Sequence, residues 1–159
     1  FPVTGSLVVN LDGDTKPDLL VWGTGGAALY LGGVTGAPVP KGYSYAVGDT
    51  NNDGIPELLV VDKEGASLQD KGKLTPLAQG SFTKALFVDT DHDYDLDILL
   101  LGPKPVMLRN QGEAGFVDRT TDFPFAKGTP IDGVVFRLIP DTKNHDILIT
   151  YTDREAVLY

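Results

Sequence analysis

Apolar and polar positions alternate along this chain in a coarse rhythm that repeats four times. The stretches "LVVNLDGDTKPDLLVWG", "YAVGDTNNDGIPELLVVD", "LFVDTDHDYDLDILLLG" and "FRLIPDTKNHDILITYT" each read as an apolar run, a polar loop, an acidic residue and a second apolar run. The closing acids Asp18, Glu57, Asp97 and Asp146 stand 39, 40 and 49 residues apart, and the extra length of the last interval falls in "RNQGEAGFVDRTTDFPFAKG". A period of about 40 to 50 residues belongs to propellers or solenoids.

The content of one period decides between them. Glycine (19) and proline (11) punctuate apolar runs such as "LLVWG", "AALYLGG" and "ELLVVD", and no stretch holds a helical period over about 11 residues. Short strands with turn signals at regular spacing predict an all-β fold. The repeat at residues 45–84 has room for four strands, near 45–48, 57–62, 66–69 and 74–79. Four short strands per repeat make one β-propeller blade, whereas a β-solenoid, the remaining alternative, has shorter coils. The expected organisation is one domain or segment over residues 1–159, with repeats at 6–44, 45–84, 85–133 and an incomplete 134–159. Nearly four blades lies at the bottom of the range for closed propellers, which predicts a segment of a larger propeller or one closed by association. The opening "FPVTGSLVVN" has neither an initiating Met nor a charged-then-apolar leader, so a removed signal and a cut from a longer chain are both expected.

The polar loops carry the chemistry. Numbered from its first oxygen-bearing residue, the third loop places Asp89, Asp91, Asp93 and Asp97 at positions 1, 3, 5 and 9. The second places Asp49, Asn51, Asp53 and Glu57 there, with Gly54 at position 6. The first places Asn10, Asp12, Asp14 and Asp18, with Thr15 at position 6. Oxygens at 1, 3 and 5 converge inside a tight turn, position 7 offers a carbonyl, and position 9 returns a carboxylate from the next strand. Such an oxygen cage suits a hard cation accepting about six to eight ligands, calcium rather than magnesium. Position 6 favours glycine because a sharp turn there needs positive φ. An EF-hand begins alike but requires a bidentate Glu at position 12 between helices. That position holds Val21, Val60 and Leu100, all in strand-like runs. The bland reading is that Asp and Asn simply form Asx turns at strand connections; three loops in register favour ligation. Asp95, at position 7, is expected to turn its side chain to solvent. The fourth loop aligns Leu138, Pro140 and Thr142 with positions 1, 3 and 5 and keeps only Asp146, so no cation is expected there.

Charge sharpens this picture. The formal net charge is -9, and the three loops hold 11 of the 22 acidic residues. Nothing basic is concentrated enough to neutralise phosphates, which argues against nucleic acid and anionic membrane as partners. No run reaches the roughly 18 apolar residues of a membrane helix. Cysteine is absent, which excludes disulfides, thiolate metal sites and a cysteine nucleophile.

These residues resemble the FG-GAP/VCBS repeats of integrin-α-like β-propellers, with the pattern D-x-[DN]-x-D-G-x-x-D-[LI]. "DTNNDGIPEL" matches with Glu57 for the last Asp, "DTDHDYDLDI" with Tyr94 for Gly, and "NLDGDTKPDL" with Asn10 for the first Asp and Thr15 for Gly. "LRNQGEAGFVDRT" is similar to the N-x-G-x-G-x-F segment of VCBS repeats, through Asn110, Gly112, Gly115 and Phe116. The resemblance implies a propeller with structural calcium on blade loops, secreted or at a cell surface, and commonly of about seven blades.

Other signals are weaker. "GTGGAA" after "LLVW" imitates a dinucleotide-binding turn through Gly23, Gly25 and Ala28, but the next run, "LYLGG", is too short for a helix. A glycine hairpin explains it. His92 and His145 read as solvated loop residues, and Ser6, Ser44, Ser67 and Ser81 lack a nucleophile-elbow context. The carboxylate spacing fits ligation better than a glycosidase pair. Trp22, Tyr30, Tyr43, Tyr45, Phe82, Phe87 and Phe116 read mostly as blade-packing aromatics. The expected function is therefore a non-catalytic, calcium-stabilised, extracytoplasmic module for protein or glycan recognition or adhesion. An enzyme or an accessory domain of a polysaccharide-active enzyme is the alternative, and a structural assembly subunit, associating with itself or another propeller segment, is the third reading.

Overall fold

The computed structural model describes residues 1–36, 38–138 and 145–159. Four antiparallel sheets follow one another along the chain. The first blade contains β1 (Val3–Val9), β2 (Asp18–Gly23), β3 (Gly26–Leu31) and β4 (Val34–Thr35). The second contains β5 (Ser44–Gly48), β6 (Glu57–Val61), β7 (Gly65–Asp70) and β8 (Lys73–Gln79). The third is β9 (Lys84–Val88), β10 (Asp97–Leu101), β11 (Val106–Asn110) and β12 (Phe116–Asp118). The fourth holds β13 (Pro130–Phe136), β14 (Asp146–Tyr151) and β15 (Val157–Leu158). Within each sheet the strands pair in chain order, as a meander of hairpins. The architecture is a β-propeller of four blades. Among the described residues the only helical segments are two single 3₁₀ turns, Gly112–Ala114 and Thr120–Asp122.

Stacking of the blades explains why their second strands are apolar without interruption. In a half-buried strand alternate residues would face water. Here β6 and β10 are buried at every position because each lies between two neighbouring blades. Leu58 and Val60 point back to Leu20 of the first blade. Leu59 and Val61 point forward to Ile98 and Leu100. Leu99 and Leu101 continue to Ile147 and Ile149. Each such side chain stabilises the array by about 1.5–3 kcal/mol on burial. Trp22 and Tyr45 meet across the first interface with ring centroids 5.1 Å apart, and Phe82 is fully buried at the second. Tyr43 stands exposed at the start of the second blade. The three hydrophobic clusters join blades 1 and 2, 2 and 3, and 3 and 4; among the described residues none joins blade 4 to blade 1.

Small residues let the first strands of successive blades approach. A Cβ on Gly48 would lie 2.8 Å from Leu96 Cδ1 and 2.9 Å from Phe87 Cδ2, so any larger residue between blades 2 and 3 there would displace those side chains. The glycine-rich "GTGGAA" closes the β2–β3 hairpin, with Gly23 paired to Gly26. It leads into a strand and not a helix.

Candidate metal centres

The acidic loops are the β1–β2, β5–β6 and β9–β10 connections, so all three lie at the same end of their blades. Their ends are fixed identically: Val9 pairs with Asp18, Gly48 with Glu57 and Val88 with Asp97. In the fourth blade Phe136 pairs with Asp146, which makes that connection one residue longer. Pro140 and Thr142 lie outside the described residues; Asp146 accepts a hydrogen bond from the Leu138 amide at 2.7 Å.

Position 9 braces each loop. Asp18 and Glu57 are buried, as is Asp97. The amide of the residue at position 2 donates to this acid in all three, from Leu11 (2.7 Å), Thr50 (2.7 Å) and Thr90 (3.1 Å). The Thr50 and Thr90 hydroxyls donate to the same oxygens. Burial, chiefly, pushes the Asp97 carboxyl above the usual carboxylate range, against the lowering effect of the Thr90 and Asn110 donors.

Loops two and three then take the same turn. Position 4 is left-handed in both, at Asn52 (φ 58°) and His92 (φ 63°), and so is position 6, at Gly54 (φ 86°) and Tyr94 (φ 74°). Positive φ at position 6 is what the sequence required; the second left-handed residue at position 4 had no glycine to announce it. The position 1 carboxylate accepts from the position 6 amide, Gly54 to Asp49 at 2.8 Å and Tyr94 to Asp89 at 3.2 Å. The position 5 carboxylate accepts from the position 7 amide, Ile55 to Asp53 and Asp95 to Asp93, both at 2.9 Å. In the second loop the Asp53 amide also donates to the other oxygen of Asp49, at 3.1 Å.

Two carboxylate groups result. Oxygens of Asp49, Asp53 and Glu57 lie within 4.8 Å of one another, and so do oxygens of Asp89, Asp91 and Asp93. Asn51 joins the first through a 3.0 Å bond from its amide nitrogen to Glu57. Asp97 stands behind the second, its oxygens taken by Thr90 and by the Asn110 amide at 2.9 Å. Asp89 Oδ1 is buried with no hydrogen-bond partner. A buried anionic oxygen without a donor is costly, and a cation among Asp89, Asp91 and Asp93 would satisfy it. The donor set is all oxygen, so the residues fit a hard divalent ion.

The first loop differs. Its position 4 is left-handed at Gly13 (φ 76°), but Thr15 does not adopt positive φ. Asn10 turns its amide nitrogen onto the Asp14 carbonyl and its oxygen onto the Gly13 amide at 2.9 Å. Asp12 and Asp14 accept local amides from Asp14 (3.0 Å) and Lys16 (2.5 Å). No grouping of three acids forms there among the described residues.

Three features went unread in the sequence. Lys71, in the β7–β8 turn, bonds Asp53 at 2.5 Å and holds its carboxyl below the usual range. Arg109 lies 3.3 Å from Asp91. Asn110 ties the loops together: its side chain donates to the Thr50 carbonyl at 2.8 Å while its own amide holds Asp97. Only the N-x-G segment hinted at Asn110; Lys71 and Arg109 are brought in by the blade topology. Asp95 is half-buried, and its carboxylate meets the neighbouring blade as well as solvent. It accepts a 2.9 Å bond from Asn52 of the neighbouring blade. The two histidines line a cleft of about 270 Å³ beside the third loop, and His92 is exposed there.

At the opposite end of the blades, the β2–β3 and β6–β7 turns border a larger cleft of about 560 Å³ between blades 1 and 2. Lys41, Tyr43, Asp62, Lys63 and Glu64 line it together with the glycine hairpin. No family model matches the chain, and no curated protein matches it.

Proposed function

We propose that the chain is a calcium-stabilised propeller module of the FG-GAP/VCBS type, which holds a recognition surface for protein or glycan in an extracytoplasmic setting and is not itself catalytic. The observation that carries this reading is the pair of loops in successive blades. They share one left-handed turn pattern, and each gathers three carboxylates within 4.8 Å. The partnerless Asp89 Oδ1 supports it. Asp49, Asp53 and Glu57 would hold one ion, with Asn51 beside them; Asp89, Asp91 and Asp93 would hold the other. Calcium would supply charge neutralisation and a fixed turn, and millimolar extracytoplasmic levels fill even weak sites. Asp97 and Asp18 keep the bracing role, and the first loop is assigned no ion. The cleft between blades 1 and 2, mostly apolar in its lining but bordered by an exposed tyrosine and charges of both signs, suits a ligand with an apolar face and polar groups.

The test is calorimetric titration of chelator-stripped protein with calcium, with magnesium as control and a thermal melt at each end state. Two sites are expected. At free calcium about 100 times the dissociation constant, each adds about 2.7 kcal/mol, and together they raise Tm by roughly 10–20 °C. Asp89→Asn should remove one site and spare the other. Absence of binding heat together with an unchanged melt would reduce the loops to Asx turns.

A further inference from the structure

One position in the repeat serves the acidic loops differently in each blade. Strand register sets Tyr30, Gln69 and Leu108 opposite the residue that follows the position 9 acid. Two residues further on stand Gly32, Lys71 and Asn110. The Gly32 and Asn110 amides donate to the acids of their own blades, Asp18 at 3.1 Å and Asp97 at 2.9 Å. Glycine has no side chain to reach further. Lys71 turns back to Asp53 of its own blade. Asn110 reaches into the preceding blade, donating from Nδ2 to the Thr50 carbonyl at 2.8 Å.

That bond completes a chain of contacts between the two carboxylate groups. Thr50 donates to Glu57 through its amide at 2.7 Å and its hydroxyl at 2.6 Å. Asn110 joins the Thr50 carbonyl to Asp97, and Asp97 accepts at 3.1 Å from the Thr90 amide, between Asp89 and Asp91. Thr50, Glu57, Asp97 and Asn110 are all buried, so water does not substitute for these bonds. A second link runs along the rim: Asn52 donates to Asp95, whose amide donates to Asp93, both at 2.9 Å. We infer that the two centres take up calcium as a coupled pair, each raising the affinity of the other through Asn110 and Asn52. The inference rests on the calcium reading above. An ion in either loop fixes segments that the other loop shares, so the first ion bears the ordering cost and the second meets a loop already held. Charge acts the other way. One divalent ion takes a group of three carboxylates from −3 to −1, which weakens its pull on an ion at the other. Salt screens that exposed effect over about 8 Å at about 0.15 M, and screens buried hydrogen bonds much less. The ordering effect therefore sets the sign.

The experiment is calorimetric calcium titration of the unaltered chain, Asp49→Asn and Asp89→Asn, in about 0.15 M salt. Each variant keeps one site, and the product of their two association constants is the overall constant expected of independent sites. The unaltered chain should exceed that product by about 5–150-fold. Asn110→Ala and Asn52→Gly each cut one link and should reduce the excess. Asn52 is exposed, and glycine keeps its left-handed turn, so Asn52→Gly decides if Asn110→Ala fails to fold. In the Asp89→Asn background Asn52→Gly should leave the remaining site's affinity unchanged, which separates lost coupling from a damaged loop. An overall constant at or below the product overturns the coupling and leaves the calcium reading standing. An excess that survives both link variants overturns it as well. Absence of calcium binding by every chain removes both readings.

Discussion

Replacing Asn110 by alanine tests whether the two carboxylate loops are mechanically joined. The residue is buried, with 3% relative exposure, and its side chain makes two bonds that alanine cannot. Its Nδ2 donates to the Thr50 carbonyl at 2.8 Å, and its Oδ1 accepts from the Gly112 amide at 3.1 Å. Thr50 is buried, so its carbonyl would lose a partner that water cannot replace, at about 1–3 kcal/mol. The Gly112 amide is near solvent and would rehydrate, adding little. With the small void left behind, the expected loss is about 2–4 kcal/mol. In a chain of this size that lowers Tm by roughly 5–15 °C. Urea denaturation with and without chelator measures it. Asn110→Asp is the sharper variant, since it keeps an acceptor for Gly112, gives the Thr50 carbonyl no amide donor and adds a charge beside Asp97. A loss below about 0.5 kcal/mol for the alanine variant, the level of an ordinary surface change, would refute the argument, as would an aspartate variant as stable as the unaltered protein.

Two further outcomes concern the loops themselves. Lys71→Ala frees Asp53 of a competing ammonium and should tighten calcium at the second loop several-fold, with the third loop unchanged; calorimetry on the Asp89→Asn background isolates the effect. Tyr94 carries a bulky side chain at φ 74° and is largely exposed, so Tyr94→Gly should relieve left-handed strain of about 1–2 kcal/mol. After glycine's entropic cost a gain of about 0.5–1 kcal/mol remains, read as a rise in Tm. An unchanged or lower Tm would count against strain at that position.

The repeat made the architecture legible because it fixes several weak signals at once. Strands near 45–48, 57–62, 66–69 and 74–79 form as Ser44–Gly48, Glu57–Val61, Gly65–Asp70 and Lys73–Gln79. The closing acids begin the second strand of every blade, because the same residue both ends the loop and pairs with the last residue of the preceding strand. The contacts between repeats were hidden. Asn52 to Asp95 and Asn110 to Thr50 join residues of different blades, and Lys71 to Asp53 joins two loops of one blade; no local pattern relates any of these pairs. The left-handed Asn52 and His92 were equally silent, since a polar residue at a turn does not declare its φ. For Asp95, position within the loop suggested water, and the proximity of the preceding blade adds a bond from Asn52.

Because each hydrophobic cluster spans only adjoining blades, the large contact surfaces among the described residues are made between segments one repeat apart in the chain. Loop-closure entropy is therefore modest at each step, as in other arrays whose units touch only their neighbours. A growing polypeptide can seat blade 2 on blade 1 as soon as about forty more residues have emerged, then blade 3 on blade 2, without waiting for its C-terminus. Assembly would run in the direction of synthesis. At every stage the most recently made blade would present its forward-facing leucines and valines to water, and the next repeat would be what covers them.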